Sequence, residues 1–119
     1  MDKQSDAAST ILSEWKQIER QLEKLFSERD QKNTKESMEK GINLFLHFLM
    51  VSNDTEYINR GPIPYESFQY KPVNIVERLE FIQSRPTLFH SYRQLSELML
   101  EQQKLYAKKL IKKSSKPLA

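Results

Sequence analysis

Apolar residues recur along this chain in steps of three and four over four separate stretches, a helical spacing rather than the alternation of strands. In the first stretch Ile11, Trp15, Ile18, Leu22 and Leu25 line up with Arg29 in the same phase, while Glu14, Lys16, Glu19, Arg20, Glu23 and Lys24 occupy the other side. The pattern predicts an amphipathic helix from Ser9 or Thr10 to about Asp30, with one buried stripe and a solvated charged face. The same seam would also serve coiled-coil pairing with another chain, which leaves a homo-oligomer open. A polar break at Asp30 to Asn33 follows. Asn33 with Glu36 three residues later has the form of a capping box for a second helix ending near Val51. Its stripe is Met38, Ile42, Phe45, Leu46 and Leu49, and Phe48 and Met50 make the last two turns apolar nearly all round, which places them at the centre of a bundle. Gly41 inside this helix costs about 1 kcal/mol relative to alanine and hints at a close helix crossing.

In the third stretch Val73, Val76, Leu79 and Ile82 supply the apolar side of a helix that Asn74 can cap, with Glu77 three residues on completing a capping box. Arg85-Pro86 interrupts it, and proline suits the first turn of a new helix running from Pro86 to about Lys112. Phe89, Tyr92, Leu95, Met99, Gln102, Tyr106 and Lys109 or Leu110 form its seam, broadened by Leu88, Leu98 and Leu105. Between the second and third helices, residues 52–72 make one long connection holding Tyr57, Tyr65, Phe68 and Tyr70. Its aromatic content predicts a loop folded down on the helices, with a short helical turn at Tyr65 to Gln69, and Tyr57, Arg60, Tyr65 and Tyr70 are candidates for a pocket wall. The expected fold is all-α: a bundle of about four main helices with one long structured loop, forming a single domain over residues 1–119 that frays at about 1–8 and 114–119.

Composition narrows the picture. With 119 residues, 38% hydrophobic and 29% charged, and only two glycines, the chain suits long helices and not a turn-rich sandwich. It contains no cysteine, which removes disulfides, thiolate nucleophiles and cysteine-based metal sites and suits a reducing cytoplasm. The longest apolar patch, Leu44 to Val51, is far short of a membrane span, and MDKQSDAAST has no signal-peptide core, so a cytoplasmic protein without membrane contact is expected. The net charge of +3 is concentrated at one end, where residues 102–119 hold six lysines and no acid.

No stretch carries a specific catalytic, nucleotide or metal signature, and no cofactor is expected. The most suggestive set is Arg78, Arg85, His90 and Arg93, around the corner between the last two helices. Guanidinium groups there could hold a phosphate or carboxylate, or could instead join Glu77, Glu80, Glu97 and Glu101 in internal ion pairs. Lys104, Lys108, Lys109, Lys112 and Lys113 could neutralise nucleic-acid phosphates, with Tyr106 available to stack on a base; the plainer reading is solubility and complementarity to the helix dipole. His47 among apolar neighbours reads as a core histidine.

The segment KPVNIVERLEFIQSRPTLFHSYRQLSELMLEQQKLYAKKL resembles the YpoC-like family of small proteins from Bacillus-type bacteria, over Gly61 to Leu110. The resemblance implies a helical cytoplasmic protein encoded near genes of DNA replication initiation and base-excision repair, and it carries no catalytic residues with it. Three functions are expected in turn. The first is a non-enzymatic module presenting the arginine corner and loop aromatics to a protein partner. The others are a nucleic-acid-binding accessory using the lysine-rich helix, and a small anion-binding enzyme or sensor at the arginine corner.

Overall fold

The computed structural model describes residues 3–55 and 62–114. Four α-helices among these residues, α1 (Lys3–Glu28), α2 (Gln31–Ser52), α3 (Ile75–Ser84) and α4 (Phe89–Ser114), are joined by tight turns and by one long connection whose described part holds a 3₁₀ turn, Tyr65–Ser67. The fold is the expected all-α bundle. α1 and α2 form an antiparallel hairpin, and α4 lies against both. Tyr92 and Phe89 meet Glu23 and Phe26 near the end of α1, whereas Tyr106 meets Phe48 near the end of α2, so α4 runs antiparallel to α1 and parallel to α2. α3 returns antiparallel along α4, with Phe81 beside His90 and Arg78 bonded to Glu101.

The core follows the seams. Ile11, Trp15, Leu22 and Leu25 of α1 are buried, as are Met38, Ile42, Phe45, Leu46, Phe48, Leu49 and Met50 of α2, and α2 is the central element the apolar run foretold. Gly41 explains the crossing. A Cβ there would stand 2.9 Å from Trp15 Cζ3 and 3.0 Å from Leu95 Cδ2, so the three helices meet where only hydrogen fits.

Helix boundaries depart from the sequence pattern for identifiable reasons. α1 begins at Lys3, not Ser9, and Ala8 is already buried in the core. α2 is capped by Asp30, three residues before Asn33. Its carboxylate accepts the Asn33 backbone N–H at 3.2 Å and the Asn33 side chain at 2.7 Å, and these bonds hold its carboxyl below the ordinary value. The Asn74–Glu77 capping box does not form. Asn74 adopts left-handed angles, φ 57°, and makes no side-chain cap bond. Asparagine tolerates those angles, so it serves as the pivot that starts α3. The helix then takes its phase from Ile75, Leu79 and Ile82, which leaves Val73 and Val76 exposed instead of buried. α4 starts at Phe89 and not at Pro86. The Leu88 N–H bonds back to the Arg85 carbonyl at 3.3 Å, closing a turn that reverses the chain, and Leu88 stays exposed within it.

With two glycines in the chain, α1 and α2 close on other residues. Arg29 and Asp54 take left-handed angles (φ 56° each), and the bonds Asp30 N–H to Leu25 O and Thr55 N–H to Met50 O complete a Schellman closure at each end.

Candidate functional site

The long connection returns to the bundle at Tyr70, whose backbone is gripped from two helices. Asn53 at the end of α2 accepts the Tyr70 N–H at 2.8 Å and donates to the Tyr70 carbonyl at 2.8 Å, and Gln102 of α4 donates to the same carbonyl at 2.9 Å. Beside them Lys109, only 5% exposed, donates to the Ser52 carbonyl at 2.7 Å and to Asp54 at 2.9 Å, with its ammonium 5.7 Å from the Tyr70 ring centre. A buried lysine thus satisfies an orphan carbonyl at the helix end, where the backbone has no partner of its own. Upstream, Phe68 enters the core and packs edge-on to Tyr65, whose phenol burial pushes upward, so the described part of the connection after Gly61 folds down on the helices. Tyr57 and Arg60 lie outside the described residues.

Pinning Tyr70 fixes the course of the next three residues. Lys71, Pro72 and Val73 run alongside α4 and leave an open groove of about 480 Å³ against Glu101, Lys104, Leu105, Ala107, Lys108 and Ile111. The apolar groups facing it are not marginal: Val73 is 75% exposed and Ile111 66%. The loop's wall of this groove is supplied by Lys71 to Val73, while Tyr65 lines a neighbouring cleft of about 400 Å³ on the far side of the same three residues, with Glu66, Gln69 and Glu77. Lys104 and Lys108 stand exposed on the α4 bank, with Lys112 one further turn along the same face, about 6 Å apart in rise. Lys71 sits on the opposite bank and donates to the Tyr65 carbonyl at 2.8 Å. The α4 lysines are therefore of two kinds. Lys109 points inward and is a structural group, contrary to its assignment as a nucleic-acid contact, and Tyr106 is buried against Phe48, so it offers no ring to a base. The Lys113 side chain lies outside the described residues.

The arginine corner is divided. Arg78 forms a fork with Glu101, one arm at 3.0 Å, and also donates to the Val73 carbonyl at 3.1 Å; the Glu101 carboxylate pushes its guanidinium above the ordinary value. Arg85 stacks over Phe81 at 5.1 Å, and His90 meets the same ring edge-on at 5.5 Å. Arg93 is exposed, and among the described residues its expected pairing with Glu97 is not formed. Only Arg78 and His90 share a cleft, of about 210 Å³ with Asn74, Glu77, Phe81 and Gln94. A four-cation anion site is not assembled. His47 is half-buried and borders a shallow cleft between α1 and α2, not the core. No group of histidine and acidic side chains that could hold a metal ion occurs among the described residues, and no helix among them is long and apolar enough to cross a membrane.

These features define a small four-helix bundle with a pinned connection and a lysine-edged apolar groove. The chain belongs to the YpoC-like family, whose model, described as YpoC-like protein, matches residues 5–114 and so takes in α1 and α2 as well as the C-terminal half. It is similar to "Uncharacterized protein YpoC" of Bacillus subtilis (strain 168), 31% identical over 96 residues that cover 79% of this chain and 58% of that protein. The chain thus spans under two thirds of the length of that relative. No solved structure matches it.

Proposed function

We propose that this protein is a non-enzymatic interaction module of the cytoplasm whose docking surface for a protein partner is the groove between Lys71–Val73 and α4. The observation that carries this reading is the exposure of Val73 and Ile111, at 75% and 66%, on facing sides of one concave surface. Large β-branched side chains left in water around a groove gain free energy when a partner covers them. Their surroundings favour the reading further, because one bank is held rigid by the Asn53, Gln102 and Tyr70 clasp and needs little ordering on binding. The anion-binding alternative moves away from favour, since Arg78 is engaged by Glu101 and Arg85 by Phe81.

A nucleic-acid role keeps one observation in its support, the exposed row Lys104, Lys108 and Lys112. Against it stand the burial of Lys109 and Tyr106 and the apolar floor beside the row. The test is a photo-crosslinking residue placed at Ala107 in the producing cell, with an identical residue at exposed Gln21 of α1 as control. Docking predicts a protein adduct from position 107 alone that disappears with Ile111→Asp. Adducts removed by nuclease would replace the reading with the nucleic-acid one, and adducts indifferent to Ile111→Asp would refute it.

A further inference from the structure

We infer that the groove receives a short amphipathic helix bearing acidic residues, contributed by the partner protein; this assignment rests on the docking reading above and specifies its ligand. The backbone on both banks decides the form of the ligand. α4 satisfies its own amide groups, and Pro72 in the facing bank has no N–H, so neither side offers a row of free backbone groups for an added strand. Recognition must then pass through side chains, which is how a helix lies in a groove. The α4 bank runs from Glu101 to Ile111, about 15 Å in rise, the length of roughly three helical turns. Ala107 lies between Lys104 and Ile111 and keeps the middle of the bank low, so a second helix can approach closely.

Charge decides the composition. Lys104 and Lys108 stand one turn apart on one bank and Lys71 stands on the other, while the only carboxylate lining the groove among the described residues, Glu101, is held in a fork by Arg78. The rim is therefore positive around an apolar floor. Glutamates or aspartates one turn apart on an incoming helix match the spacing of Lys104 and Lys108, and leucine-like residues on its apolar stripe meet Val73, Leu105 and Ile111. A phosphate backbone would satisfy the lysines and leave that floor uncovered.

Fluorescence anisotropy of the full-length protein tests this with a labelled peptide of about eighteen residues, leucine on one helical stripe and glutamate elsewhere. A scrambled peptide of the same composition, a lysine-for-glutamate version and a single-stranded DNA serve as comparisons. The acidic amphipathic peptide should bind about tenfold or more tighter than the scrambled and basic peptides. Binding should weaken about tenfold with Ile111→Asp and, separately, with Lys104→Glu combined with Lys108→Glu, and it should fall as salt is raised. All these positions are on the surface, so unchanged circular dichroism verifies that the variants fold. Equal binding of the scrambled peptide, indifference to the charge reversal, or DNA binding that survives Ile111→Asp overturns the inference. So does a concentration-dependent dimer that Ile111→Asp abolishes, which would make a second copy of this chain the occupant. If no acidic peptide binds while Ala107 still crosslinks to a protein, the acidic helix is refuted and the docking module stands; if both fail, both fall.

Discussion

Replacing Lys109 with methionine isolates the buried ammonium, because methionine keeps most of the apolar stem and removes the charge and the donors. Lys109 supplies the 2.7 Å bond to the Ser52 carbonyl, and Ser52 is fully buried, so water cannot take over. A hydrogen bond to a charged group is worth about 1.5–3 kcal/mol, most of it here the penalty of leaving that carbonyl unsatisfied. The Asp54 contact adds less, since the Asp54 side chain is 50% exposed and rehydrates, as a surface pair worth about 0.2–1 kcal/mol would. Relief of the lysine's own desolvation offsets part of the loss. The net expectation for Lys109→Met is a loss of about 2–3 kcal/mol, which lowers Tm by roughly 10 °C in a domain of this size. Two comparisons make the reasoning refutable. Lys108→Met, one position away on the exposed face, should stay within about 0.5 kcal/mol of the parent. Asp54→Asn, which preserves the side-chain shape and tolerates the left-handed backbone, should cost under about 1 kcal/mol. Urea denaturation of the three variants gives the values. Lys109→Met and Lys108→Met of equal stability would show that the buried ammonium contributes nothing, and an Asp54→Asn loss as large as that of Lys109→Met would move the energy from the carbonyl to the ion pair.

Gly41→Ala should destabilise by about 1 kcal/mol in the same assay, because crowding against Trp15 and Leu95 at 2.9 and 3.0 Å, costing about 1–3 kcal/mol, exceeds the gain of about 1 kcal/mol in helix propensity; a stabilised variant would disprove the close crossing. Arg29→Gly should stabilise by roughly 0.5–1 kcal/mol, since glycine takes φ 56° without a Cβ clash, and a loss would indicate that the arginine side chain holds the turn. The Tyr92 phenol donates to Glu23 at 3.2 Å and is pushed up to about 12, chiefly by burial and then by the Glu23 charge. A raised value favours the neutral folded form, so its contribution is whole below pH 10 and disappears as pH rises from 10 to about 12. In an absorbance titration Tyr92→Phe should remove a tyrosine step near pH 12, and a titration unchanged by the substitution would contradict the burial argument.

The helices were legible because burial imposes a period, and the stripes of α1 and α2 carry it without interruption. Boundaries were less so. Asp30, Asn33, Asn74 and Glu77 are all competent caps, and the choice among them depends on backbone angles set by the turns, not on residue type. The polar clasp left a readable mark: Gln102 and Lys109 fall on the α4 seam at positions that demand burial, and a polar group there needs a partner. Its partners, the carbonyls of Tyr70 and Ser52, are backbone atoms that no sequence pattern advertises. The groove was legible only in part. Ile111 and Ala107 lie off the seam of α4, but the spacing alone puts Val73 on the buried side of α3, because a left-handed residue between Val73 and Ile75 shifts the phase in a way periodicity cannot register. Lysine counting failed for a related reason, since Lys108 and Lys109 are adjacent in sequence and about 100° apart on the helix, one in water and one in the core.

That division ties the clasp to the groove. Lys109 and Gln102 hold the end of α2 and the Tyr70 backbone against the inner side of α4, and the next residues, Lys71 to Val73, form the facing bank on its outer side. Loosening the clasp should therefore release the bank without touching a groove residue. Lys109→Met, studied at a temperature where it remains folded, should weaken the acidic peptide through a bank that must be ordered on binding, and the loss should appear as a less favourable entropy in calorimetry. Lys108→Met should weaken the same peptide through lost charge, and its deficit should shrink as salt is raised while that of Lys109→Met persists. Parallel salt dependence for the two variants would mean that Lys109 acts on the peptide only through long-range charge, and that the bank stands without the clasp.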